Sequence, residues 1–364
     1  MGNTFLTPKI IANEALMVLE SQLTMAGLVH RDYSDEFVKV GDTITVRKPA
    51  KFVAKNFVGS THGQDITEGS VDVKMDRFRD VTVNVTSKEL TLDIKDFSAQ
   101  VVTPALSAIA QAIDMDLLAV GVEKAGKIAT VSSTPKLEDI AGVGKALDMS
   151  KAPLQNRRLV LPAEIRYKYN TLDNFAKQCY AGDSRALRDA EIGKVYTCET
   201  FASENCPHSA AATPGTATAY KVTGTKDTQQ FTVSEGNPTT GKIAAGDQLI
   251  VGGYLYTVTK DLTLTSGGGT LEVDQNLPAD IEEATDVKVI SKAHALGFHR
   301  NGIALVTRQL ELPMGAANAY IASANGLAVR VVMDYDPKTK TDSISFDTIY
   351  GIKELDTSLL VDFS

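Results

Sequence analysis

Residues 3–49 read NTFLTPKIIANEALMVLESQLTMAGLVHRDYSDEFVKVGDTITVRKP. They predict a helix with Thr7 as its N-cap and Gly27 at its end. Pro8 is suited to the first helical position, because the N–H that proline lacks would have no partner there. Apolar residues recur at spacings of three and four and form one stripe: Ile11, Ala15, Leu19, Leu23 and Ala26. We expect this face to dock either on its own domain or on a neighbouring subunit.

The stretch that follows, residues 36–89, carries strand patterns but few core residues. Its ends alternate as strands do, over 43–46 on the way out and 81–85 on the way back. The middle, 48–79, is polar, and long loops without a core of their own are usually functional or disordered. Because an isolated two-stranded hairpin is marginal in water, we expect an extended arm that is stabilised by packing on something else.

A long scaffold helix is predicted from Pro104 to Gly126. Its charged residues are expected on a solvated face: Asp114, Asp116, Glu123 and Lys124. An α/β pattern follows over residues 136–181.

After Pro207 the composition shifts. A linker, SAAATPGTA at 209–217, precedes six short alternating strands that glycine-rich turns separate. Host-like strands return after Ala293, so the β-rich module is predicted to be an insertion. We expect it to bury a core of its own, made of Val222, Phe231, Val233, Ile250, Leu255, Val258, Leu271 and Val289.

Composition excludes several classes of protein. The 364 residues include 45 acidic and 37 basic ones, a net charge of −8 that disfavours a wholly basic nucleic-acid binder. Runs of about 18 apolar residues are lacking, and the first residues do not resemble a secretory signal. The three cysteines are too few for a disulfide framework. These features predict an intracellular, soluble, multi-domain chain.

The sequence carries no catalytic signature of the nucleophile-elbow, phosphate-loop or zinc-protease type. Cys198, Cys206 and His208, with Cys179 upstream, are zinc-binding residue types, but their spacing departs from the usual short pairs. Ordinary reduced thiols explain them better.

Two further motifs have structural explanations. Residues 334–340, DYDPKTK, begin like a calcium loop but place lysines where oxygen ligands belong, so a β-turn is expected. His299 beside Arg300 is expected to be a structural histidine. We therefore predict no enzyme activity, no catalytic residues, no cofactor and no metal.

The order of these elements resembles the Hong Kong 97 fold of tailed-bacteriophage major capsid proteins. The segment 3–49 closely resembles the N-arm and first loop strand of the coat protein family of short-tailed phages, whose type is the coat protein of Salmonella phage P-twenty-two. Four further segments resemble that family in the right order: LRDAEIGKVYTCETFASENCP at 187–207, AAGDQLIVGGYLYTVTKD at 244–261, GFHRNGIALVTRQLELP at 297–313 and GLAVRVVMDYDPKTKTDSISFDTIYGIKELD at 326–356. Ala190 departs from the family, which more often has glycine there.

The resemblance implies an α+β fold with an inserted small β-barrel or sandwich. It implies these parts: an N-arm helix at 1–35, the E-loop at 36–90, a P-domain spine helix at 91–135, the first part of the A-domain at 136–212, the inserted β-domain at 213–291, the A-domain return at 292–329, and P-domain strands with the C-terminus at 330–364. The inserted domain is expected to fold alone and to stand on the outer face of a shell.

The function implied is that of a major capsid protein. It would self-assemble as pentamers and hexamers, through a procapsid formed in the host bacterial cytoplasm, into the icosahedral virion shell around double-stranded DNA. Partners would be further copies of itself, scaffolding and portal proteins, packaged DNA without sequence preference and, as a further candidate, a decoration protein; no membrane is involved.

Two sets of residues are expected to serve assembly. Charges in the E-loop would set the register between subunits: Lys51, Lys55, Asp65 and Glu68. Glu14 and Glu20 on the N-arm would contact a basic scaffold helix, the alternative being a merely solvated face.

Two other classes stay open. A cellular nanocompartment shell of the same fold would carry enzyme cargo, but the insertion and the N-arm motif favour the phage version. A glycan-binding β-rich protein would use the insertion, which has no tryptophan and no clustered aromatic platform.

Overall fold

The computed structural model describes residues 8–31, 43–47, 56, 70–86, 98–176, 192–217, 219–237, 240–265, 268–313, 318–324 and 327–364. The chain divides into two compact units. The first comprises 1–23, 30–110 and 303–355, and the second comprises 24–29, 111–302 and 356–364.

The described residues form five α-helices and twenty-one strands. The helices are α1 (Pro8–Gln22), α2 (Thr103–Glu123), α3 (Leu137–Met149), α4 (Ala163–Asn170) and α5 (Asp173–Ala176). The first ten strands are β1 (Thr43–Arg47), β2 (Ser70–Lys74), β3 (Arg77–Thr86), β4 (Lys127–Ala129), β5 (Arg157–Leu161), β6 (Lys194–Val195), β7 (Cys198–Ala202), β8 (Ala219–Gly224), β9 (Gln230–Asn237) and β10 (Gly241–Ile243). The others are β11 (Gln248–Val251), β12 (Tyr254–Thr257), β13 (Leu262–Leu264), β14 (Gly269–Glu272), β15 (Ile281–Ile290), β16 (Ala295–His299), β17 (Ile303–Arg308), β18 (Ala319–Ala324), β19 (Leu327–Asp336), β20 (Thr341–Glu354) and β21 (Leu360–Phe363).

The first unit is built around β20, a strand of 14 residues. It pairs antiparallel with β3 along one side, and with β19 and then β17 along the other, while β18 extends the sheet beyond β19. Helix α1 packs on β18 and β19 and buries its apolar stripe, including Ile11, Ala15 and Leu19. The helix therefore docks on its own domain, the first of the two expected arrangements.

The predicted end of this helix was wrong. Helix α1 stops at Gln22, and Met25–Gly27 form a short 3₁₀ turn. The reason is a competing partner: the N–H groups of Thr24 and Met25 bond to the Asp114 carboxylate instead of continuing the helix. Thr7 lies outside the described residues.

The arm begins as an antiparallel pair of strands, β1 and β2, with Thr43 opposite Lys74 and Arg47 opposite Ser70. The strand at 81–85, expected as the return of the arm, belongs instead to β3 and pairs with β20 over ten residues. Between β1 and β2 only Asn56 is described.

The second unit contains a six-stranded sheet in the order β4-β21-β16-β5-β7-β6, with two parallel pairs, β21–β4 and β5–β7. Helix α3 packs on one face through Ile140, Val143 and Leu147, which are buried with sheet residues such as Leu159. Gly297 on β16 allows this close approach, because a Cβ there would lie 2.4 Å from a methyl carbon of Val143.

The inserted residues of this unit form a β-barrel. Six antiparallel strands run in the order β12-β11-β15-β8-β9-β14, and a bridge between Val258 and Val273 joins the two outer strands. The barrel encloses its own core, in which the rings of Phe231 and Tyr256 meet edge to face at 5.2 Å.

Two of the expected barrel-core residues were assigned to the wrong face. Ile250 and Leu255 are buried cross-strand partners outside this core, whereas Leu249, Val251 and Tyr256 point into it. Successive side chains of a strand alternate between faces, so an error of one position exchanges the two sets.

Helix α2 is mostly core. The helical stretch Ala99–Glu123 is long and apolar enough to cross a membrane, yet 72% of its most apolar window is buried within the protein, as in core helices of soluble proteins. Asp114 and Asp116, expected on a solvated face, are each only 1% exposed. Here the tertiary packing overrides the usual preference of carboxylates for water.

Candidate assembly surfaces and their joints

The arm is rooted on β17 and β20 through a small apolar cluster. Val73 and Met75 pack with Ala304, Val306 and Leu355. Gly351 of β20 faces this root, since a Cβ there would lie 2.3 Å from the carbonyl oxygen of Lys74. The arm therefore leaves the first unit from a tightly fitted base. The predicted register residues Lys51, Lys55, Asp65 and Glu68 lie outside the described residues.

Helix α1 presents an outward face with a mixed character. Ile10 and Met17, seven residues or almost two turns apart, are 53% and 65% exposed. Glu14 lies four residues after Ile10 and Glu20 three after Met17, so the two carboxylates border this apolar pair on opposite sides. The structure thus places the exposed Glu20 and the half-buried Glu14 on one face of the helix, and adds two apolar residues that the sequence reasoning missed. The sequence signal for these two residues was that both are apolar but lie outside the stripe that the helix buries.

The entry into the barrel is fixed by Asp247, whose side chain is completely buried. Its carboxylate accepts hydrogen bonds from the Ser209 hydroxyl at 2.7 Å, the Gly215 N–H at 2.8 Å and the Ala244 N–H at 2.9 Å. The segment 209–217, predicted to be a linker, is therefore clamped onto the barrel.

The exit from the barrel is fixed by an ion cluster at Asp362 of β21, which is 2% exposed. Lys288 of β15 donates to one carboxylate oxygen and His294 lies 2.7 Å from the other. The Lys288 ammonium also reaches the Val122 carbonyl oxygen at 3.3 Å. Burial alone would raise the pKa of Asp362, but the hydrogen bond from His294 and the charge of Lys288 outweigh it, so this pKa is lowered.

The segments that lead into and out of the barrel also contact each other. The His294 N–H donates to the Pro207 carbonyl oxygen at 2.9 Å. Together with Asp247 and Asp362, this contact fixes the orientation of the barrel relative to the strands that flank it.

A third buried carboxylate, Asp114, holds the segment after α1. Its two oxygens accept the N–H groups of Thr24 and Met25, each at 3.0 Å. Burial raises the pKa of Asp114 to about 6, although the hydrogen bonds from the backbone oppose this shift. The other end of the segment is held by Arg158, whose guanidinium donates to the Leu28 carbonyl.

The sequence reasoning missed these three aspartates. Asp114 carried the clearest signal, because it lies four residues after Ala110 and three before Leu117, on the predicted apolar stripe of its helix. A carboxylate on such a stripe must be hydrogen-bonded when buried.

The cysteines and His208, which have zinc-binding side chains, have structural surroundings instead. Cys198 and Cys206 are buried free thiols whose pKa burial raises, and Cys179 lies outside the described residues. The His208 ring nitrogen Nδ1 lies 2.9 Å from the Cys206 carbonyl oxygen. Within the described ranges, three or more metal-ligating side chains nowhere form a group that could hold an ion.

The structure confirms the expected turn at 334–340 and the structural role of His299. Asp336 accepts hydrogen bonds from the Lys338 N–H and the Thr339 hydroxyl, both at 2.9 Å, in a turn between β19 and β20 where Lys340 has a φ of 59°. His299 is 4% exposed and accepts the Asn301 N–H at 3.2 Å. Burial and then the nearby Arg157 lower the pKa of His299.

Comparison with solved structures identifies the fold. The protein is similar to a chain from Mycobacterium phage Che8, with 16% identity over 94% of this chain and 91% of that one and a TM-score of 0.52. It is also similar to a chain from the capsid of cyanophage P-SCSP1u (11% identity, covering 90% and 84%, TM-score 0.50) and to one from the mature capsid of bacteriophage PhiM1 (8%, covering 89% and 82%, TM-score 0.51). The chain has the fold of tailed-phage capsid subunits.

This capsid fold confirms the α+β, Hong Kong 97-like architecture with an inserted β-domain that the order of elements predicted. No protein-family model matches the sequence, and no curated protein matches it either. The assignment to the P-twenty-two-like family stays a prediction.

Proposed function

We propose that this protein is the major capsid protein of a tailed bacteriophage, which self-assembles as pentamers and hexamers into a shell around double-stranded DNA. The observation that carries the proposal is the capsid fold, shared with the phage chains over about nine-tenths of the length of this chain. The domain limits given by the family resemblance, from the N-arm at 1–35 to the P-domain strands at 330–364, belong to this proposal.

The arm supports an assembling role. Its described part is a single pair of strands whose apolar contacts are at the root, around Val73 and Met75. Two strands alone are marginal in water, so a neighbouring subunit would provide the surface that the rest of the E-loop needs. Lys51, Lys55, Asp65 and Glu68 would then set the register more than the strength of this contact, since exposed ion pairs contribute little energy.

The outward face of α1 supports a scaffold contact. A basic amphipathic helix would place apolar residues on Ile10 and Met17 and cations beside Glu14 and Glu20. The apolar pair would provide most of the binding energy, because each exposed charge pair is worth less than about 1 kcal/mol. A scaffolding protein is the proposed partner, with portal and decoration proteins as further ones.

The net negative charge of the chain supports a shell that encloses DNA without binding it tightly. With a net charge of −8 the chain would repel packed DNA and confine it without binding it strongly. No step of this function requires catalysis, a cofactor or a metal.

The test is to express the full chain alone and together with the products of the genes that neighbour its own. The fractions are then examined by sedimentation and electron microscopy. We expect closed shells, formed in the bacterial cytoplasm, whose native form contains DNA. Shells filled with an enzyme would favour a nanocompartment instead. Subunits that never exceed small oligomers under any condition would contradict the proposal.

A further inference from the structure

The segment 24–29, which we call the strap, is held through its backbone by two charged side chains. Met25 and Ala26 are fully buried and Val29 is 1% exposed, so their side chains have no contact with water. Asp114 accepts the first two N–H groups of the strap and Arg158 donates to its Leu28 carbonyl. The strap is therefore clamped by an anion at one end and a cation at the other.

The anion is the unusual partner. Asp114 is 1% exposed, and burial keeps its pKa at about 6, well above that of an ordinary carboxyl. The ionisable group that interacts with it is Cys206, whose pKa burial raises so that it stays a neutral thiol. Asp116 is also buried and lies two residues further along the same helix, while Arg158 binds the far end of the strap. At neutral pH the carboxylate is thus charged in surroundings that disfavour its charge.

We propose that Asp114 makes the attachment of the strap pH-dependent, tighter in acid and looser at neutral pH. When the strap lifts, water reaches the Asp114 carboxyl and its affinity for a proton returns to the ordinary value. The closed form binds the proton more tightly than the open form, so protonation favours closure. On protonation the carbonyl oxygen of the neutral carboxyl still accepts one of the two N–H groups, and the hydroxyl oxygen keeps a weaker acceptor capacity for the other.

The pH dependence proposed for Asp114 has the opposite sign to that of a carboxylate in an ion pair. Asp362, whose pKa is lowered, stabilises its joint at neutral pH and loses this effect in acid. Asp114 weakens its joint at neutral pH and stops doing so once it is protonated. Between pH 5 and pH 7.5 one proton therefore changes the hold on the strap while the barrel joint stays fixed, because the pKa of Asp362 is lowered below 3.8 and lies under this range.

Hydrogen exchange of the purified full-length protein tests the proposal, followed by mass spectrometry of peptides that cover 24–29. After correction for the intrinsic rate, we expect protection of the strap amides to fall between about pH 5 and pH 7.5. If the pKa of Asp114 changes from about 6 to 3.8 on opening, linkage gives a fall of about tenfold between these two pH values.

Two variants make the test specific. D114N keeps an oxygen acceptor without a charge and should hold the strap at the acid level at every pH, whereas D116N, altered at a buried aspartate of the same helix, should keep the wild-type slope. A flat wild-type profile, or a D114N profile with the wild-type slope, would overturn the proposal. Should D114N not fold, the wild-type and D116N profiles decide between these outcomes, since loss of the slope in D116N also contradicts a role for Asp114.

Discussion

Gly351 of β20 and Lys74 of β2 touch main chain to main chain, and a Cβ at position 351 would lie 2.3 Å from the Lys74 carbonyl oxygen. This contact joins the sheet of the first unit to the root of the arm. Because the obstacle is backbone, neither side can move without shifting a strand.

Gly351→Ala should therefore displace the arm root. We expect a loss of about 1–3 kcal/mol in unfolding free energy, as for other overpacked sites, and a fall in the yield of closed shells. Gly142→Ala is the matched control, since the nearest atom to its new methyl group is 3.9 Å away. Urea unfolding and sedimentation of assembled particles measure both effects. Equal behaviour of the two variants would show that the close contact does not constrain the arm.

The ion cluster at the barrel exit should make stability depend on pH. The pKa of Asp362 is lowered by His294 and Lys288, so its carboxylate stabilises the fold above the ordinary value of 3.8, and this stabilisation fades as the pH falls through the lowered pKa. We expect Asp362→Asn to lower the unfolding free energy by roughly 1–3 kcal/mol at neutral pH and by much less in strong acid. Thermal melting over a pH series measures this difference. A deficit that stays constant with pH would indicate lost packing instead of lost charge.

The barrel should fold as a fragment. It closes on itself and encloses its own core, so residues 213–291 expressed alone should give dispersed amide NMR signals. Ile250 and its partner Leu255 lie beside Lys288, whose ammonium reaches Asp362 outside the fragment, so we expect this face to be exposed when the barrel is expressed alone. Replacing both with threonine should leave the fragment folded and more soluble, yet destabilise the full-length protein. A random-coil spectrum of the unaltered fragment would show that the barrel depends on its host.

The face of α1 should respond differently to changes of charge and of apolar surface. Glu14→Lys with Glu20→Lys should weaken scaffold incorporation a few-fold at low salt and have little effect at high salt. Ile10→Ser with Met17→Ser should weaken it more, and at any salt concentration, because apolar burial is not screened. Asn13→Ser, on the same exposed face, is the control. Unchanged scaffold content in all variants would mean that this face is only solvated.

Local patterns predicted most elements but not their partners. The alternation at 43–46 and 81–85 identified two strands correctly, yet nothing local shows that the first pairs with Ser70–Lys74 and the second with β20, more than 250 residues away. Likewise the stripe of α1 was correct to Leu19, while its end depended on Asp114, which is about 90 residues distant along the chain.

The residues of the candidate site likewise fall into those that the sequence could predict and those that depend on the fold. Glu14 and Glu20 could be placed on an exposed face from helical spacing alone, but the exposure of Ile10 and Met17 follows from which stripe β18 and β19 cover. Asp247 and Asp362 lie in segments of ordinary sequence, and their importance arises only when Ser209, Lys288 and His294 are brought to them by the fold.

The central claim, that this chain builds a shell through its arm, is tested most directly by electron microscopy of particles from two proteins expressed with the same scaffold. One is the full chain, and the other lacks residues 52–70, which lie between β1 and β2 and include the first residue of β2. We predict closed shells from the full chain, and from the deletion a subunit with the wild-type circular dichroism spectrum that does not close shells. Normal particles from the deletion would contradict the role of the arm, and the absence of shells from the full chain would contradict the capsid function itself.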